Sequence, residues 1–377
     1  MQTTFVSRSA WLILLLTNAA FVWKYSARTS FSPLLCTGLY ALFLLSIALF
    51  CERKLFSPKT ARCITLALLA VAFAGIAVLL MRIDPLSVNV DRWSATTYWL
   101  DALFQGIYPY GVHTHVCETN FPSPLPLWHY LNLPFWLLGD VGLGLFVFLA
   151  MFVAAVFWFT RSWRQTSVAL LLLVASPAYW WEVLVRSDGL SNALLVFCLI
   201  LLMEKKGITP QRHWLLCAVI CALTALTRLS AIIPMALYVA KDYLKSPLSR
   251  QVAIALTVIV IVFAFFAPFI FWDTDSWVFF HRNPFMSQTS TGSPWILLFM
   301  AAFALWLIWS YNRSFSRFVR STAWFMFGFF LLSIVYNHFA YNANVSPFDD
   351  ADFDISYLTL SLPYCLFAIA TRKPQEE

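Results

Sequence analysis

Residues 64–81, ITLALLAVAFAGIAVLLM, contain no charged side chain. A run of about 20 such residues crosses the hydrocarbon core of a bilayer as a helix, because lipid offers no partner to a backbone group left unpaired. The chain repeats this pattern. Twelve spanning helices are expected, at roughly 11–25, 33–51, 64–81, 144–160, 168–183, 189–204, 214–227, 229–241, 252–270, 293–310, 322–341 and 355–371. Several are shorter than a full crossing, as spans are where a cavity reaches into the membrane. Reading 214–241 as two helices rather than one decides the sidedness of everything after it. The chain is 61% hydrophobic and 11% charged, against roughly half and a quarter in a soluble domain. The expected class is therefore an all-α, polytopic transmembrane bundle.

A net charge of +7 would suggest nucleic-acid binding in a soluble chain. Here loop position accounts for it, and no nucleic-acid partner is expected. With both termini in the cytosol, 18 of the 25 basic residues fall on the inner side, as the positive-inside rule requires. On the same map 13 of the 18 acidic residues and five of the six histidines lie outside or at the outer ends of spans. The polar chemistry belongs to the outer face. The first apolar run is followed by further spans and shows no small-residue cleavage site, so it reads as a span rather than a leader. Seven of the eight cysteines lie within or at the ends of apolar segments and only Cys117 sits in an outer polar loop, which argues against a disulfide framework. No Gly/Ser linker or repeat divides residues 1–377, so one membrane domain is expected.

Residues 82–143 form the long extracytosolic loop. It carries an amphipathic helix at 91–105, a break at Gly106 and Pro109, the polar run HTHVCETNFPSP, and an apolar but proline-interrupted helix at 124–138. Trp128 and Trp136 would place that second helix at headgroup level. Asp91, just outside a span, is the first candidate for chemistry. A carboxylate within hydrogen-bond reach of an acceptor hydroxyl serves as a general base; the competing reading is an ion pair with Arg92 or Arg82. Asp188 follows Ser187 and precedes Gly189, and is either a helix cap or an oxygen ligand for Mg²⁺ or Mn²⁺, with Asp91 as a second ligand. Arg228 lies between two apolar segments. A guanidinium there either snorkels or pairs bidentately with phosphate. His281 and Arg282 are further phosphate partners, while Asp273 and Asp275 read as solvated.

His113, His115, Cys117 and Glu118 invite a zinc reading. No second ligand cluster accompanies them, so a polar loop beside a cavity explains them more simply. Asp349, Asp350, Asp352 and Asp354 lack the glycine and bidentate glutamate of a calcium loop and read as a solvated lid. Neither G-x-x-x-x-G-K-[ST] nor G-x-G-x-x-G occurs, so no nucleotide cofactor is signalled.

The order of these features resembles the GT-C superfamily of membrane glycosyltransferases, which take sugars from polyprenyl phosphates. Asp91, Tyr98 and Gly106-Ile107-Tyr108-Pro109-Tyr110 resemble its first outer loop. Phe121-Pro122-Ser123-Pro124-Leu125 through Gly139 is similar to the aromatic interfacial helix that follows. Ser176-Pro177 with Arg186-Ser187-Asp188 resembles the second outer loop, Leu226-Thr227-Arg228 an L-T-R/K element, and Asp354-Ile355-Ser356-Tyr357-Leu358 a D-x-x-Y element before the last span. Three spans precede the aspartate loop here, where many members have one, and Arg92 follows the aspartate. The resemblance implies sugar transfer from a polyprenyl-phosphate donor to a hydroxyl of a glycan, lipid or protein on the extracytosolic face, with inversion. It implies Asp91 as base, Arg228, Arg282, His281 and Tyr357 as donor-binding groups, and a divalent metal at Asp188. A bacterial inner membrane fits the cysteine usage. The alternative is a flippase or transporter of lipid-linked saccharides that makes and breaks no bond.

Overall fold

Proline opens many of the helices. Pro33, Pro58, Pro126, Pro177, Pro284 and Pro294 each stand at a first helical position, where the missing N–H had no intrahelical partner to lose and the ring already holds a helical φ. The computed structural model describes residues 2–52, 57–289, 293–310, 314–347 and 353–372. Its α-helices are α1 (Gln2–Ser26), α2 (Pro33–Glu52), α3 (Pro58–Arg82), α4 (Arg92–Phe104), α5 (Pro126–Leu137), α6 (Gly144–Thr160), α7 (Trp163–Val174), α8 (Pro177–Leu184), α9 (Asp188–Lys206), α10 (Trp214–Ala225), α11 (Leu229–Leu244), α12 (Leu248–Ile270), α13 (Val278–His281), α14 (Pro284–Thr289), α15 (Pro294–Ser310), α16 (Phe315–Tyr341) and α17 (Leu362–Ala370). Short 3-10 turns occupy Pro85–Ser87, Pro109–Gly111, Val141–Leu143 and Ile355–Ser361. Among the described residues every regular element is helical.

Length and apolarity qualify five of these segments to cross a membrane: Pro33–Cys51, Pro58–Arg82, Val141–Thr160, Leu248–Ile270 and Phe315–Tyr341. A sixth arises if α7 and α8 count as one span, although they are bent by 66°. Trp214–Ala225, Pro294–Ser310 and Ile355–Ala370 are shorter apolar helices. The chain is thus an all-helical membrane protein.

Two segments depart from the continuous helices expected. Over 168–183 the helix breaks, since Pro177 keeps the residue before it out of the α region and α7 ends at Val174. Lipid tolerates such a break only where the freed groups find partners. Asn18 supplies one: its Oδ1 accepts from Ser176 Oγ at 2.5 Å and from the Ala178 N–H at 3.1 Å. Over 355–371 the segment starts as a 3-10 turn, with Asp354 Oδ1 accepting from the Ser356 N–H at 3.0 Å, and becomes α-helical only at Leu362.

A single domain is the expectation from the lack of linkers. By contacts the chain divides into two compact units, one of residues 1–75, 150–182 and 292–377, the other of 76–149 and 183–291. In the first, α1 packs on α2, α16 and α17 around buried Ile13, Leu14, Phe21, Met326 and Tyr364. The same unit holds a tight contact between α3 and α8. A Cβ on Gly75 would stand 2.4 Å from the Trp180 ring, whose Nε1–H donates to the Val174 carbonyl at 2.7 Å. Gly75→Ala must displace that indole, and over-packing of this kind costs about 1–3 kcal/mol. The variant is expected to melt several degrees below the wild type in detergent; an unchanged melt would contradict this packing.

The second unit contains α4, α5 and α9–α14. Its core gathers Trp99, Leu100, Tyr108, Tyr110, Leu125, Leu226, Phe266 and Phe269. Trp99 lies flat on His129 at 4.1 Å and meets Tyr110 edge-on at 5.7 Å. Aromatic pairs in such geometries add about 0.5–1.5 kcal/mol each beyond the area they bury. They fix α4 against α5. A second tie is the Trp136 Nε1–H, which donates to Asp101 at 2.9 Å.

Candidate active site

Arg228 is only 2% exposed. It follows the end of α10 and precedes α11 in an extended conformation, with φ −155° and ψ 152°. Two backbone bonds hold this crossing: the Leu125 N–H donates to Thr227 O at 3.0 Å and the Leu127 N–H to Leu226 O at 3.1 Å. Gln288 clips it on the other side, accepting from the Leu229 N–H at 2.9 Å and donating to the Ser123 carbonyl at 2.5 Å. The break between α10 and α11 is therefore a built element.

The Arg228 Nη1–H donates to Asp188 Oδ2 at 2.5 Å. Asp188 is 5% exposed and opens α9, but it is not the cap. Ser187 is, accepting from the Gly189 N–H at 3.1 Å, which leaves the aspartate side chain for the arginines. Its second oxygen lies 3.9 Å from Arg92 Nη1, on the first turn of α4. Two guanidinium groups share one carboxylate, so the group keeps a net positive charge. The burial of Arg228 is offset by an internal partner and needs no external phosphate. A cavity of about 10 Å³ adjoins Asp188 and is lined by Thr96, Asn132, Gly142, Arg186 and Ser191 among others. It has room for about one water.

Asp91 directly precedes Arg92. It is half-buried, and its side chain caps nothing in α4. Among the described residues its backbone carbonyl is what is engaged, by Ser94 Oγ at 3.1 Å and the Ala95 N–H at 2.8 Å. Arg92 reaches Asp188, so Asp91 and Asp188 sit on either side of the same arginine in sequence and in space respectively. His281 and Arg282 are exposed at the end of α13. The Arg282 guanidinium lies 3.9 Å over the Phe121 ring, and its carbonyl accepts from the Tyr108 hydroxyl at 2.6 Å. Tyr357 belongs to the other compact unit, where its ring stacks on Phe330 at 5.5 Å. Asp349, Asp350 and Asp352 lie outside the described residues.

The histidine run is structural in its visible contacts. His115 Nδ1 is 2.7 Å from Ser94 Oγ and its Nε2 3.0 Å from the Val88 carbonyl, while the His113 ring leans on Phe121 at 4.8 Å. Among the described residues no three His, Cys, Asp or Glu side chains form a metal-holding group. Asp188 itself does not suit Mg²⁺ or Mn²⁺ as expected. One oxygen is bonded to a guanidinium and the other faces a second, and a dication placed there would be repelled by both.

His129, on the twelve-residue α5, is fully buried under Trp99. Its Nε2–H donates to the Pro124 carbonyl at 3.1 Å, leaving Nδ1 without a partner. Burial pushes its pKa down to about 3, and the nearby Arg228 charge pushes the same way. The ordinary value is about 6.5. Between those values the unfolded chain binds a proton that the folded one refuses, so stability is complete above about pH 6.5 and falls as pH drops toward 3, by up to about 1.4 kcal/mol per unit. Melting followed from pH 7 to 4 should show this loss, and His129→Phe, which keeps the ring on Trp99, should flatten it. Equal slopes in both proteins would contradict a neutral buried imidazole.

Arg92 takes part in this site, and Asp140 lies 3.4 Å from the neighbouring Arg186, although neither stands out as a candidate in the sequence. Asp140 sits in a Gly-Asp-Val-Gly turn, which alone signals only an end of helix. Arg92 reads there as a partner for Asp91. The chain matches no protein-family model, no curated protein and no solved structure.

Proposed function

We propose that this protein is a GT-C-like glycosyltransferase that moves a sugar from a polyprenyl-phosphate donor to an acceptor hydroxyl of a glycan, lipid or protein. The observation that carries the reading is the meeting of Arg92 and Arg228 at Asp188, which joins the neighbour of Asp91, the Arg186-Ser187-Asp188 run and the Leu226-Thr227-Arg228 run in one largely buried cationic group. Such a group suits the phosphate of a departing lipid, since preorganised charge lowers the barrier where negative charge develops. In the proposed step Asp91 accepts the proton of the acceptor hydroxyl. The freed oxygen bonds to the anomeric carbon as the bond from that carbon to the phosphate oxygen breaks. Polyprenyl phosphate leaves with the electron pair, and the configuration inverts. Arg228 and Arg92 hold the phosphate, with Arg282 and His281 at its approach. The step uses no metal and no nucleotide. The cavity beside Asp188 admits a water and not a sugar ring, so donor entry widens it, as site closure in reverse.

The proposed setting is twelve spans with both termini cytosolic and the site on the extracytosolic side of a bacterial inner membrane. A transporter of lipid-linked saccharides is the second reading, supported by the 66° break between α7 and α8, since broken helices are common in transporters. The purified protein in lipid, given labelled polyprenyl-phosphate sugars and acceptor extracts, separates the two. Release or transfer of sugar supports the enzyme. Movement of intact donor across the bilayer, with no donor consumed, replaces it with the transporter.

A further inference from the structure

Arg186 precedes the cap of α9 and is tied to three points of the second unit. Its Nη2–H groups donate to the carbonyls of Leu80 at 2.9 Å and Ile83 at 3.0 Å. Carbonyls at a helix end such as that of α3 have no intrahelical donor of their own. Its Nε lies 3.4 Å from Asp140 Oδ2. The other Asp140 oxygen accepts from the Gly142 N–H at 2.8 Å and from the Trp93 indole N–H at 3.1 Å. One ion pair thus joins the end of α3, the first turn of α4, the turn leading into α6 and the entry to α9.

Arg186 holds this position with φ +50°, in the left-handed region that side chains other than glycine rarely adopt and that persists only where surrounding contacts over-determine it. There is little slack around it. A Cβ on Gly142 would stand 2.7 Å from Leu80 Cδ2 and 2.9 Å from Arg186 Cδ. The two segments joined by the pair are those that carry the cationic site. Trp93 is next to Arg92, and Arg186 is two residues before Asp188.

We infer that Asp140 and Arg186, with Trp93, are positioning residues that set the separation of Arg92 from Asp188 and so hold two guanidinium groups on one carboxylate. Asp140 and Trp93 lie off the lining of the cavity beside Asp188; Arg186 lines it, with its guanidinium engaged by two carbonyls and by Asp140. Their relevance to sugar transfer rests on the function proposed above, but the positioning itself does not. A brace that merely stabilised the fold would, when weakened, loosen the whole unit. A positioning pair loosens this corner first.

The test is carbodiimide-activated amine labelling of carboxylates in the full-length protein in lipid, read residue by residue by mass spectrometry, with transfer kinetics alongside. The variants are Asp140→Asn and Trp93→Phe. The second removes only the indole donor and leaves the Arg186–Asp140 ion pair, so it folds even if the first does not. Asp188 is expected to label about tenfold faster in both, because local opening exposes the groups it uncovers. Asp101, which bonds Trp136 elsewhere on α4, should label at the wild-type rate. Where transfer is measurable, kcat should fall about tenfold or more with donor KM little changed, because misplacement by about 1 Å can cost about a hundredfold. Unchanged Asp188 labelling in folded Trp93→Phe overturns the inference. So does an equal rise at Asp101, which would mean general loosening. Faster Asp188 labelling in a protein whose wild type transfers no sugar leaves the positioning intact and removes the proposed function.

Discussion

Asp91→Asn is expected to lower sugar transfer by about 10²–10⁴-fold, the usual contribution of a general base, while leaving the melting temperature where it was. The two halves of that expectation have separate causes. The asparagine is almost the same shape but cannot accept a proton. It also disturbs nothing visible, because the Asp91 side chain caps no N–H of α4 and the bonds from Ser94 and Ala95 go to its backbone carbonyl, which the variant keeps. Surface or half-buried changes away from such contacts stay within about 0.5 kcal/mol. The measurement is single-turnover consumption of labelled donor, with a thermal melt of the same preparation. Wild-type turnover in the variant would remove Asp91 from the role of base. A collapsed melt would mean that its carboxylate has a structural duty.

Arg228→Ala carries the largest expected effect on stability. The arginine is 2% exposed and its partner Asp188 5% exposed, with 2.5 Å between the bonded atoms. Removing one member of a buried pair leaves the other charged and poorly solvated, at a cost of about 3–5 kcal/mol. Arg92 remains, but at 3.9 Å it compensates in part only. The variant Asp188→Ala should also be destabilised, since it leaves two guanidinium groups together without their carboxylate. The double variant should recover much of the loss, giving a coupling of about 1–3 kcal/mol in a double-mutant cycle. Unfolding midpoints of the four proteins in detergent measure it. A coupling near zero would mean that water or another group already solvates these charges. A further variant separates the structural duty of Arg228 from the proposed phosphate-binding one: Arg228→Lys keeps a charge for Asp188 but loses the planar fork that binds phosphate through two parallel bonds, so it should keep more stability than transfer.

What the chain is could be read from its apolar runs. A stretch such as 64–81 has one stable conformation in lipid, and prolines at helix starts mark many of the element boundaries, so the helices of the structure lie close to those expected. The interruption at Leu226-Thr227-Arg228 was legible for the same reason, since a buried arginine ends an apolar face. The loops between the apolar runs, too, announce that acids and aromatic residues gather there. Distance was not legible. Asp188 looks in sequence like a cap or a metal ligand, and only packing shows that Ser187 takes the cap and that arginines from α4 and from the α10–α11 break converge on the aspartate. Asp140 signals in its own neighbourhood only the turn it caps at Gly142, because its other partners lie 47 residues before it, in Trp93, and on Arg186 well after it. Apolar burial is a property of each segment alone and so is written along the chain. Ion pairing across segments depends on which segments meet, and the tertiary structure alone decides that.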